Sequence, residues 1–130
     1  MKRRILHPIG EAELEVLQAV WQMGEATVGQ VHERILTRRE VAYTTIMTLM
    51  KRLTDKGYLS YQNHGNTYHY QAQVTSEAFK ASMASEVVEK IFDGSPMALV
   101  QTLFKQESFS EEERAEIEAL LDQIRAHTNP

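Results

Sequence analysis

Cysteine is absent from the 130-residue chain. That excludes disulfides, thiolate metal sites and a cysteine nucleophile, and it fits a reducing compartment. Long apolar runs are absent too. None approaches the roughly 20 residues needed to span a membrane, and no apolar stretch of signal-peptide length follows the basic start MKRRIL. The expectation is a cytoplasmic protein without membrane insertion. There is no glycine-rich phosphate loop, no G-x-S-x-G elbow and no clustered carboxylate pair, which argues against an enzyme. His64 and His69 share one segment, while His7, His32 and His127 are scattered, and no HxxxH or HExxH spacing occurs. Neither a metal nor a cofactor is expected.

One further absence is local. The stretch AYTTIMTLMKRL, Ala42 to Leu53, holds no carboxylate, although the chain carries a net charge of −4. That charge is unevenly divided. Residues 1–75 carry 9 Lys+Arg against 7 Asp+Glu, and residues 76–130 carry 5 against 11. A polyanion responds to the local field rather than to the total, so the first part is the one suited to meet it.

Apolar residues recur at helical spacing at Leu14, Leu17, Val20 and Trp21, and Gly24 supplies a C-terminal stop. Thr27, with Gln30 three residues on, forms a capping box for a second helix bearing Val31, Ile35 and Leu36. The third helix is the carboxylate-free stretch, extended to about Lys56 and stopped by Gly57. Ile46, Leu49, Met50 and Leu53 mark its buried face. At about 100° per residue, Thr44, Thr48, Lys51 and Asp55 point the opposite way, with Thr45 and Arg52 on one shoulder and Met47 on the other. Tyrosine-rich strands over 58–62 and 67–72 follow, joined by NHGN. Three helices and a hairpin in this order are those of a winged helix-turn-helix, whose third helix enters the DNA major groove.

From Ser76, read as an N-cap, the pattern is helical only. Phe79, Met83, Val87 and Ile91 recur every four residues. Gly94-Ser95-Pro96 reads as C′ glycine, N-cap serine and N1 proline. A short helix then carries Leu99 and Leu103, and a capping box of Ser110 and Glu113 opens one with Ile117, Leu120, Leu121 and Ile124. Such short helices make a poor independent core, so a second copy is expected to complete it. The expected fold is mainly α with a small β-hairpin: a winged-helix domain over 1–75 and a helical dimerisation region over 76–130.

The segments AELEVLQAVWQMGEATVGQVHERI, VAYTTIMTLMKRLTDKGYL and GSPMALV together resemble the penicillinase-repressor (BlaI/MecI/CopY) family of dimeric winged-helix transcriptional repressors, over about Ile9 to Ile124. The resemblance implies a homodimer on a palindromic DNA operator with a TACA/TGTA-type core. It implies base-edge contacts from Thr44, Thr45, Met47 and Thr48, and phosphate contacts from Lys51 and Arg52. Threonine suits such a face because it hydrogen-bonds several base edges and its methyl can touch that of thymine. A carboxylate there would be repelled by the phosphates.

Two departures matter. Wings of this family often carry several Arg or Lys, whereas QNHGN carries none, so phosphate contact by this wing depends on His64 in its protonated form. The copper-responsive branch uses C-terminal cysteines, which are missing here. The β-lactam-responsive branch has a membrane sensor protease as upstream partner, and the repressor is cut at an Asn-Phe bond. Register puts that bond at Thr102-Leu103, without the Asn, so any proteolytic control is expected at a different bond. The competing expectation is a winged-helix protein–protein interaction module without DNA binding, consistent with the acidic total and uncharged wing.

Overall fold

A computed structural model describes residues 8–106 and 108–128, with nothing stated of the Thr128 side chain. The basic arm 1–7, including His7, lies outside the described residues. The chain divides into two compact units, residues 1–85 and 86–130. No described helix is long and apolar enough to cross a membrane.

In the first unit, α1 (Glu11–Met23), β1 (Glu25–Ala26), α2 (Val28–Leu36), α3 (Tyr43–Asp55), β2 (Leu59–His64) and β3 (Thr67–Ala72) precede the start of α4 (Ser76–Ile91). The punctuation is local chemistry. Gly24 ends α1 at φ 82°, in the left-handed region that suits glycine. Thr27 Oγ1 accepts from the Gln30 amide at 3.2 Å while Gln30 Oε1 accepts from the Thr27 amide at 2.9 Å, closing the expected capping box. The hairpin strands run two residues further along β2 than the sequence indicates, to His64, leaving Gly65 and Asn66 as the turn.

The sheet has three antiparallel strands in the order β1-β3-β2. Two-residue β1 pairs Glu25 with Gln71 and Ala26 with Tyr70. It ties the loop after α1 to the hairpin and so sets where the hairpin stands relative to the helices. Beneath lies one core built from Val16, Leu17 and Val20 of α1, Val31 and Ile35 of α2, Ile46, Met50 and Leu53 of α3, and Tyr58.

The start of α4 belongs to this core. Thr75, not Ser76, caps the helix: its Oγ1 accepts from the Ala78 amide at 3.0 Å. Phe79 is buried, with its ring centroid 5.4 Å from that of Trp21 and 5.9 Å from that of Tyr58. Met83 is half-buried against the same cluster. Phe79 and Met83 therefore pack into the core of their own chain.

The second unit contains the end of α4, α5 (Pro96–Gln106) and α6 (Glu111–Thr128). Gly94 takes φ 80°, Ser95 Oγ accepts from the Ala98 amide at 3.1 Å, and Ser110 and Glu113 close the expected capping box.

Candidate nucleic-acid interface

The start of α3 is held from behind. A ring nitrogen of His32, Nε2, donates to the Val41 carbonyl at 2.7 Å, and the His32 ring meets Tyr43 edge-on at 5.7 Å. Arg39 Nη2 lies 2.6 Å from Glu15 Oε1, tying the turn between α2 and α3 back to α1. This hydrogen bond, with the charges of Arg39 and Arg38, holds the Glu15 carboxyl below its ordinary pKa despite partial burial.

Burial of Ile46, Leu49, Met50 and Leu53 turns the opposite side of α3 outward. Thr44, Thr45, Met47, Thr48, Lys51 and Arg52 are all exposed there. They are not equivalent. Thr48 Oγ1 donates back to the Thr44 carbonyl at 3.0 Å, which leaves Thr48 a methyl and acceptor lone pairs to present. The Thr44 and Thr45 hydroxyls bond no other described residue and are free to donate. Lys51 lies 3.9 Å from Asp55, an exposed pair that water screens and that holds neither side chain firmly. Arg52 lies close enough to Glu13 for its charge to lower the pKa of that carboxyl.

Glu13 is the one charged residue in the core of the described structure, 6% exposed. Its Oε1 accepts from the Gly10 amide and from Lys56 Nζ, each at 2.8 Å, and Lys56 Nζ also donates to the Pro8 carbonyl at 2.9 Å. The start of α1 is thereby clasped to the end of α3. Burial pushes the Glu13 pKa up. The Lys56 and Gly10 hydrogen bonds and the charges of Lys56 and Arg52 outweigh this, and the net shift is downward. A carboxyl depressed in the folded state contributes stability above its unfolded pKa and loses it as pH falls through the folded value. Glu13→Gln is expected to cost about 1–2 kcal/mol at pH 7, since its amide oxygen still accepts but the charge facing Lys56 and Arg52 is lost. The gap between wild type and variant should close in urea melts below about pH 4. A gap unchanged with pH would show that the carboxylate's charge is irrelevant.

The hairpin presents two faces. Register pairs Tyr61 with Tyr70 and Asn63 with Tyr68, so these four share the face toward α3. His64 and His69 lie on the other face, 4.9 Å apart edge-to-face, and no third histidine or carboxylate joins them in a metal-binding group among the described residues. Between the hairpin and α3 lies an open groove of about 750 Å³, lined by tyrosines of the hairpin, by Tyr43, Met47 and Lys51 of α3, and by Thr27 to Gly29 at the start of α2. The sequence reading named Met47 and Lys51 here but missed the tyrosines. The alternation Tyr68, Tyr70 was the available signal.

The second unit differs. None of its described residues is buried. Leu99 and Ile117 are half-buried, whereas Val87, Leu103, Leu120, Leu121 and Ile124 are exposed and Ile91 reaches 69%.

A protein-family model described as "Penicillinase repressor" matches residues 9–123. The chain is 26% identical over 116 residues to a methicillin resistance regulatory protein, MecI, of Mammaliicoccus sciuri, covering 89% of this chain and 94% of that one. Over 49 residues, 37% of this chain and 36% of the other, it is 45% identical to the transcriptional regulator BlaI of Mycobacterium tuberculosis. Its fold is similar to the solution structure of the DNA-binding domain of the repressor BlaI, with a TM-score of 0.52 at 24% identity, over 58% of this chain and 93% of that one.

Proposed function

We propose that this chain, which belongs to the penicillinase-repressor family, represses transcription by binding a palindromic DNA operator as a homodimer. The family is one of repressors, not enzymes. The observation that carries the reading is the exposed face of α3: hydroxyls, a thioether and two cations, backed by a fully packed opposite face and anchored at its start by His32. Thr44, Thr45, Met47 and Thr48 read base edges, with the Thr48 methyl suited to a thymine methyl. Lys51 and Arg52 meet phosphates. His64, facing away from α3, approaches the neighbouring backbone only from the outer side of the wing.

The DNA-binding part is the winged helix of residues 1–75, completed by Phe79 and Met83. The exposed apolar residues from Val87 onward, Leu103, Leu120, Leu121 and Ile124 among them, pair two copies together with the half-buried Leu99 and Ile117. Two recognition helices then meet successive major grooves. A TACA/TGTA-type operator core is part of this reading. Release follows an inducing signal that acts on the paired region. Thr102-Leu103 lies inside α5, where cleavage requires local unfolding, and any proteolytic control uses another bond.

A gel shift on TACA/TGTA palindromes and on random duplexes, across a salt series, tests the reading. Thr44→Ala is expected to lower discrimination by about 1–3 kcal/mol. Lys51→Ala should weaken binding to all sequences and flatten the salt slope by about 1. The absence of any shift at low salt would leave the protein-interaction module as the answer.

A further inference from the structure

The hairpin lacks the cations that would grip a phosphate strand, yet its face toward α3 is a cluster of phenols. The rings of Tyr61 and Tyr68 stack at 4.2 Å with 15° between planes, and each remains more than 40% exposed. Neither hydroxyl bonds another described residue, and the same holds for Tyr43. Stacked aromatic pairs at this exposure hold their hydroxyls in fixed positions at low cost in entropy, because each side chain has few torsions to lose.

Accepting the reading above, in which α3 enters a major groove, the strand bounding that groove must pass between α3 and the element beside it. That element is the hairpin, and the space between them is the 750 Å³ groove. Lys51 supplies the formal positive charge of its lining, and Asp55, its exposed partner at the last turn of α3, lines it too with a negative one. A polyanionic strand is therefore favoured near Lys51 and must be held elsewhere by neutral donors.

We propose that this groove seats one sugar–phosphate strand of the operator, and that the hydroxyls of Tyr43, Tyr61 and Tyr68 grip it in place of a basic wing. Tyr43, Tyr61, Tyr68 and Tyr70 all line this groove, and burial, with the neighbouring phenols, raises the Tyr70 pKa.

Neutral donors leave a signature that cations do not. Each lysine or arginine on a phosphate releases counterions and steepens the salt dependence, whereas a hydroxyl adds affinity without changing the slope. The double variant Tyr61→Phe/Tyr68→Phe keeps both rings and both stacking partners. It is expected to bind operator and random duplexes about 5- to 50-fold more weakly, as the loss of two hydrogen bonds from neutral donors allows, with the salt slope of wild type. Ethylation of single phosphates should interfere with wild-type binding at a position where it no longer interferes with the variant. Unchanged affinity in a variant that melts like wild type overturns the proposal while leaving DNA binding intact. A flattened slope overturns it as well. Failure of the wild-type protein itself to bind duplex DNA removes both this proposal and the reading on which it rests.

Discussion

Leu121→Lys with Ile124→Lys is expected to yield a monomer at micromolar concentration that keeps a folded first unit and binds the palindromic operator about 10²–10⁴-fold more weakly. The expectation begins from a packing failure. Across 86–130, none of the described residues is buried, although α6 alone presents Leu120, Leu121 and Ile124 at 56%, 44% and 57% exposure. Ile117 joins them at the i, i+3, i+4, i+7 spacing of one helical stripe. A unit that leaves its large apolar side chains in water gains little from the hydrophobic term, which is the main source of folding free energy. In the proposed homodimer a second copy supplies the missing cover, and two lysines on the stripe would have to enter it unpaired. Once the copies separate, each recognition helix must find its half-site alone. Light scattering reads the mass and a gel shift the affinity. A dimeric mass, or a monomer with undiminished operator binding, would remove the second unit from its proposed role.

What the sequence disclosed and what it hid follow from the range of the forces. Caps and stops rest on residues three or four apart, and so Gly24, the Thr27–Gln30 box, Ser95 and the Ser110–Glu113 box were legible. The buried side of α3 was legible because four residues repeat its period. Strand β1 was not: two residues carry no period, and its partner lies on β3, some 45 positions away. The Glu13–Lys56 clasp was hidden for the same reason, being a pairing across 43 positions. Thr75 and Ser76 are both good caps, and adjacency left no local signal to choose between them. On the binding face, exposure of the threonines was readable, but the back-bond that separates Thr48 from Thr44 depends on a rotamer.

Phe79 shows the limit most plainly, and it carries the largest expected effect on stability. Its four-residue spacing with Met83, Val87 and Ile91 groups them along one helix, but periodicity says nothing about what the stripe meets. Phe79 and Met83 pack into the core of the first unit, while Val87 and Ile91 are exposed. Phe79→Ala is expected to cost about 3–5 kcal/mol, the loss of a buried ring plus the cavity left between Trp21 and Tyr58. That is a large share of the 5–15 kcal/mol, roughly, that stabilises a domain. Trp21 adds to the rigidity of the site, since its Nε1 donates to the Val74 carbonyl at 2.8 Å and cannot follow a collapsing neighbour without breaking that bond. The measurement belongs in the Leu121→Lys/Ile124→Lys background, where pairing is removed. A core residue loses the same 3–5 kcal/mol there, read as an earlier urea midpoint with an unchanged slope. A residue of the pairing face would lose nothing further once the partner has gone, and an unchanged midpoint would return Phe79 to that face.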